Sequence, residues 1–256
     1  MGAGHGPSAG LYLHRHSPLH RLAPQCKLAA TFLFVLAVVA APREAFWAYG
    51  LFVALLITVA RIGRIPALYI LRRLVIETPF VAFAFFMPIV GRGERVDVLG
   101  LSLSQAGLWA AWNILIKGTL GVTATILMAS STSISEILHG LERLRLPKML
   151  VGICAFMIRY IDVISGEMQR MRVARESRGH NPRWIWQVKA VAASAGALFI
   201  RSYERGERVY LAMASRGYNG AMPVLDDHRA TRAQWSVALL LPITAASISS
   251  LAWIVR

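Results

Sequence analysis

The chain is poor in charge. Asp, Glu, Lys and Arg make up 16% of its 256 residues, against about a quarter in an ordinary soluble domain, which excludes that class. Cysteine is scarce too: Cys26 and Cys154 lie far apart, without C-x-x-C spacing. Neither a disulfide framework nor a structural zinc site is supported, and both are expected to be buried small hydrophobes. A phosphate-cradling G-x-x-x-x-G-K-[ST] loop, an H-E-x-x-H helix and a convincing nucleophile and base grouping are all missing, so no chemistry is assigned to the chain itself. The Gly-rich start, Met1 to Gly10, is not followed by the basic, apolar and small-residue order of a signal peptide, and is expected to be retained.

What is abundant is apolar surface, 56% of residues, with a mean hydropathy of +0.51. These values predict an all-α integral membrane protein. The net charge of +15 raises nucleic acid as a partner, but the basic residues lie between apolar runs, as cytoplasmic loops do, and nucleic acid is set aside. A helix needs about 20 residues to cross the hydrocarbon layer. Five segments fit or nearly fit: Leu28 to Ala41, Ala45 to Ala60, Leu74 to Val90, Ala106 to Ser130, and Trp235 to Ile254 with indoles near both ends. Arg61, Arg64, Arg72 and Arg73 crowd one connection without an acid, whereas Gly91 to Gln105 offsets Arg92 and Arg95 with Glu94 and Asp97. By the positive-inside rule the first connection is cytoplasmic, which puts the N-terminus inside. The expected organisation is a cytoplasmic segment 1–27, transmembrane helices 28–130, a cytoplasmic region 131–234 and a last transmembrane helix 235–256.

Region 131–234 holds sixteen Lys and Arg and nine Asp and Glu. Ser133 and Glu136 form a capping box ahead of an amphipathic stretch, and Pro147 ends that helix and opens another. The chain then runs without proline to Gly179, long enough for a single helix of nearly 50 Å. Leu150 to Ile164 and Trp184 to Ile200 are too apolar for free solution, so an interfacial or re-entrant layer is expected. A second helix is expected from about Ile200 to Gly217, followed by Pro223 as Pro182 follows Gly179.

Within this region one pattern occurs twice. Arg170 to His180 reads R-M-R-V-A-R-E-S-R-G-H, and Arg208 to Tyr218 reads R-V-Y-L-A-M-A-S-R-G-Y. Helix capping accounts for Gly179 and Gly217, and dipole compensation for one arginine. Neither accounts for matched Ala174 and Ala212, matched Arg170 and Arg208, or both Arg178 and Arg216. Two like helix ends suit a soluble partner with two like sockets, such as a two-fold dimer with carboxylates in a groove. Methionines 149, 157, 168, 171, 213 and 222 cluster in the same region, where core packing is the expected use of each.

Further stretches carry a resemblance over nearly the whole chain: S-P-L-H-R-L-A-P-Q-C-K at 17–27, K-G-T-L-G-V-T-A-T at 117–125, G-L-E-R-L-R-L-P-K at 140–148, F-M-I-R-Y at 156–160 and R-S-Y-E-R-G-E-R-V-Y-L-A-M at 201–213. With these the chain resembles the transmembrane T component of energy-coupling factor transporters, most closely the cobalt-type CbiQ branch. The resemblance implies a non-catalytic coupling subunit without resident cofactor or metal site. It implies as partners a cytoplasmic ATPase dimer and a CbiM-like substrate-binding membrane subunit with a CbiN-like companion, and cobalt as cargo, nickel or a vitamin being the alternatives. The family's paired signature is usually Ala-Arg-Gly. Here Ser177-Arg178-Gly179 and Ser215-Arg216-Gly217 stand in its place, so by resemblance Arg178 and Arg216 contact the ATPases, supported by Arg170, Ala174, Arg208 and Ala212.

Three other groupings stand out in the sequence. His14, His16 and His20 have spacing that invites a metal, but Arg15 and Arg21 among them disfavour a cation. Glu77 and Lys117, both at membrane depth, are expected to pair, as are Arg159 and Asp162 one turn apart. A self-contained secondary transporter would show polar groups at the midplane or repeated transmembrane halves; the repeat here is basic and cytoplasmic.

Overall fold

A computed structural model describes residues 13, 17–91, 95–98, 101–179, 188–220 and 230–255. His14, His16, His180, Pro182, Trp184, Met222 and Pro223 lie outside them. The described residues form helices α1 (Pro18–Arg21), α2 (Pro24–Ala40), α3 (Phe46–Ile62), α4 (Ala67–Arg73), α5 (Thr78–Val90), α6 (Gln105–Ser130), α7 (Ile134–Arg143), α8 (Lys148–Ser177), α9 (Val188–Ala214) and α10 (Arg232–Ile254), with strands β1 (Arg95–Val98) and β2 (Leu101–Ser104) between α5 and α6. The chain divides into two compact units, one built on Glu142–Asp227 and the other on Leu11–Leu141 with His228–Arg256.

The second unit is an apolar helical bundle. Its core joins α2, α3, α6 and α10 through Phe34, Phe52, Leu56, Leu120 and Leu127, with small residues Ala37, Ala48, Ala124, Ala245 and Ala252 between them. Small side chains let helices approach closely where lipid, being as apolar as leucine, supplies no hydrophobic drive. Phe34 and Phe52 meet edge to face at 6.1 Å, an arrangement the ring quadrupoles favour. α5 packs along α6, and at Gly107 any side chain would strike the Met87 carbonyl oxygen. The outward face of α5 leaves Phe80, Phe83, Phe85 and Phe86 exposed, as a lipid-facing helix does.

The last carbonyls of α2 have no partner within their own helix, and protein donors meet them. Lys117 Nζ donates to Val39 O at 2.8 Å and Ala41 O at 2.9 Å, and Trp253 Nε1 donates to Ala40 O at 2.9 Å. Two distant helices thus close one helix end. Glu77, buried in a 3-10 turn (Leu74–Glu77) joining α4 to α5, accepts from Thr119 Oγ1 at 2.8 Å. The expected Glu77–Lys117 pair therefore does not form: two positions apart on α6, Lys117 and Thr119 point to different faces, and only Thr119 meets Glu77.

Four further expectations are corrected. Arg72 and Arg73 lie not in a loop but on α4, which continues through the 3-10 turn into α5, because no Gly or Pro interrupts 67–78. Within the connection expected at 91–105, β1 and β2 pair antiparallel, with Arg95 opposite Ser104 and Val98 opposite Leu101, and Ser104 Oγ caps α6 by accepting from Gly107 N. Cys154 is exposed while Cys26 is buried. Arg159 and Asp162 form no ion pair among the described residues.

Ala67–Val90, Gln105–Ser130, Lys148–Ser177 and Arg232–Ile254 are long and apolar enough to cross a membrane, and α2 and α3 are shorter apolar helices of 17 residues each.

Candidate functional site

The two copies of the repeated motif sit at the C-termini of α8 and α9, in the unit these helices build. α8 starts at Pro147, whose missing N–H costs nothing at a helix start, and runs 30 residues. α9 runs 27 residues and begins at Val188, twelve positions before the expected start. Its first turns are rich in alanine, and Gly196 is tolerated inside because a mid-helix glycine costs only about 1 kcal/mol.

The two ends have the same geometry. At the first, Arg178 N donates to Arg175 O at 3.1 Å and Gly179 N to Glu176 O at 3.0 Å, with Gly179 at φ +79°. At the second, Arg216 N donates to Met213 O and Gly217 N to Ala214 O, both at 3.0 Å, with Gly217 at φ +84°. Tyr218 N reaches Met213 O at 3.0 Å, completing a Schellman cap. The serines match as well: Ser177 Oγ donates to Ala174 O and Ser215 Oγ to Ala212 O, each at 3.0 Å. A hydroxyl folded back on its own helix occupies little more room than the alanine it replaces.

Backbone groups and glycine thus complete both caps. Arg178 and Arg216 are exposed, and neither guanidinium has a partner among the described residues. Arg170, Ala174, Arg208 and Ala212 are exposed on the same two helices. The arrangement offers two copies of a fork-shaped cation beside a small-residue surface, which can dock against acidic sockets.

The sequence did not disclose what ties α8 to α9. Glu167 of α8, almost buried, accepts from Arg205 Nη2 at 3.0 Å and from the more exposed Arg201 Nη1 at 3.5 Å. Arg201 and Arg205, four apart, share one face of α9, and that spacing was the available signal. Ile164, Met168 and Met171 are half-buried, in line with their helical spacing on α8, whereas Met149 and Met157 are largely exposed, against the expectation that each methionine packs in a core. His20 is engaged locally, its Nδ1 2.6 Å from Ser17 Oγ and its Nε2 3.2 Å from Leu13 O. Among the described residues no three His, Cys, Asp or Glu side chains are grouped to hold a metal.

The family model described as cobalt transport protein, CbiQ, matches residues 15–225. The chain belongs to the CbiQ family. It is 26% identical over 227 residues to the energy-coupling factor transporter transmembrane protein EcfT of Listeria innocua, covering 82% of this chain and 84% of that one. It is 30% identical over 147 residues to an uncharacterized protein of Methanocaldococcus jannaschii, covering 57% of this chain and 54% of the relative. It is also 26% identical over 150 residues, 56% of this chain, to a putative fused cobalt transport protein CbiMQ of Methanocorpusculum labreanum, of which it spans 25%. The chain thus spans about half of one of these relatives and a quarter of another. With its apolar helices, this chain is a multi-pass membrane protein, and it belongs to a family of transmembrane transporter components.

Proposed function

We propose that this CbiQ-family chain is the coupling subunit of an ATP-driven cobalt importer of the plasma membrane. The ends of α8 and α9 each dock one subunit of a cytoplasmic ATPase dimer, and a CbiM-like membrane subunit binds the cargo. The observation that carries the reading is the duplication in three dimensions: two glycine caps of the same geometry, two serines folded back in the same way, and two arginines left over by both caps. Arg178 and Arg216 would enter carboxylate-lined sockets, Ser177, Gly179, Ser215 and Gly217 would let the helix ends approach, and Arg170, Ala174, Arg208 and Ala212 would extend each contact. A fused CbiMQ relative supports a CbiM-like neighbour, because partners joined in one chain act together.

The N-terminus lies in the cytoplasm in this reading. Arg21, Arg61 and Arg64 then share the side on which the ATPases act, in keeping with the positive-inside bias. ATP hydrolysis belongs to the partners, and this chain transmits their closure.

The test is affinity purification from membranes with Arg178→Glu and Arg216→Glu combined. The wild type should bring down an ATPase pair, and the double reversal should lose it while remaining inserted and monodisperse. Retention of the ATPases by the reversed variant refutes the docking reading.

A further inference from the structure

In the bundle, the N-terminal ends of α2 and α10 meet the C-terminal ends of α3 and α6, with α1 alongside, around a half-open cavity of about 310 Å³. This is the low end of the range for small-molecule sites, about 300–1,000 Å³. The walls are hydrocarbon, among them Ala30, Leu56, Leu127 and Leu241; the polar exceptions are Lys27, Ser131 and Thr31, and no acidic side chain lines it. Along α6 the lining runs from Ala124 to Met128 and on to Ser131 beyond the helix end, a depth of about 10 Å at 1.5 Å per residue. Such a space matches a stretch of a single extended hydrocarbon chain.

One end of this cavity is basic. Lys27 is 5% exposed, yet its Nζ makes one hydrogen bond, to Ser131 O at 2.9 Å, whereas an ammonium has three donors. Among the described residues Lys27 forms no ion pair. Leu19 and Leu22, which line the cavity, flank the exposed Arg21; Val59 and Ile62, which also line it, flank the exposed Arg61. The α1 and α3 ends touch, since Leu19 Cδ2 lies against Gly63; each arginine is exposed and adjacent in the chain to a lining residue, Arg21 to Leu22 and Arg61 to Ile62, and a long side chain there can carry its guanidinium to the mouth.

We propose that this cavity is a binding site for one anionic phospholipid, with an acyl chain among the walls and the phosphate held at the rim by Lys27, Arg21 and Arg61. A buried lysine in the wall and two exposed arginines next to lining residues complement a phosphate joined to an apolar tail, and the charge pattern selects an anionic over a zwitterionic headgroup. The leaflet follows from the orientation proposed above and is the cytoplasmic one, where anionic lipids attract juxtamembrane basic residues. A bound lipid would fill a gap between four helices that the protein's own side chains leave open.

The test is native mass spectrometry of the protein purified in mild detergent with the subunits that accompany it, stripped of lipid and then titrated with palmitoyl-oleoyl phosphatidylglycerol or phosphatidylcholine. The wild type should retain one phosphatidylglycerol in preference to phosphatidylcholine. Arg21→Gln with Arg61→Gln, both on exposed positions, should reduce that preference by about fivefold for each charge removed. Thr31→Phe, which fills the slot from a half-buried position, should abolish retention of either lipid while the elution profile is unchanged. Equal retention of the two lipids by the wild type, or undiminished retention by Thr31→Phe, overturns the proposal. ATPase subunits are counted in the same spectra, so a failure of the coupling reading registers separately from a failure of the lipid site.

Discussion

Replacing Gly179 and Gly217 by alanine isolates the contribution of helix-end geometry to partner binding. Both glycines hold positive φ, +79° and +84°, and a Cβ added at either would meet nothing within 4 Å. The cost of alanine is therefore backbone strain alone, about 1–2 kcal/mol at each position. If the ATPase binds only the capped end, that energy appears in the affinity as about a 5- to 30-fold loss per substitution. The losses multiply in the double variant if the two ends act independently. Asparagine tolerates the left-handed region far better than alanine, so Gly179→Asn with Gly217→Asn should bind nearly as the wild type does. The assay is titration of the purified ATPase pair onto the CbiQ-family chain in nanodiscs. Alanine and asparagine variants that bind alike, or an alanine double variant with unchanged affinity, would refute the reasoning, because the two substitutions differ chiefly in how well they accept this φ.

Three further outcomes are expected. Lys117→Met removes two charge-assisted hydrogen bonds from the partly exposed end of α2 and should destabilise the bundle by about 1–3 kcal/mol, seen as a lower thermal unfolding midpoint; an unchanged midpoint would mean that Trp253 alone closes that end. Glu167→Ala cuts α8 loose from Arg205 and Arg201; with Arg201 mostly exposed the loss should be about 1–2 kcal/mol, detected as faster amide exchange over 201–214. Arg145, which follows α7 at φ +69°, should become glycine with a net gain of about 0.5 kcal/mol, the relief of strain being partly offset by the freer unfolded chain.

Much of the architecture was legible where punctuation and periodicity coincide. Ser133 and Glu136 do form their reciprocal cap, Pro147 does open α8, and Gly179 and Gly217 do end their helices in the left-handed conformation. The start of α9 was not legible, because the alanine-rich turns after Val188 carry no breaker and no amphipathic stripe. The closure of α2 by Lys117 and Trp253 was hidden for a different reason. Its donors lie 76 to 213 residues away along the chain, and only tertiary packing brings them to that helix end. The same limit applies to Glu167: one of three acids on α8, it looks solvated until α9 sets Arg201 and Arg205 against it. Conversely, the twofold Ser-Arg-Gly motif was fully visible in the sequence, since each copy is a local structure whose bonds span at most five residues.

The central claim is that each helix end holds a different ATPase subunit. It is tested most directly by placing a photo-crosslinking residue at Glu176 and, separately and together, at Ala214, both exposed and each directly before its serine. Each single variant should capture one ATPase subunit, and the combined variant should yield a product of one CbiQ-family chain with two. Capture of no ATPase from either position, or a combined product that never exceeds one ATPase subunit, would contradict the account.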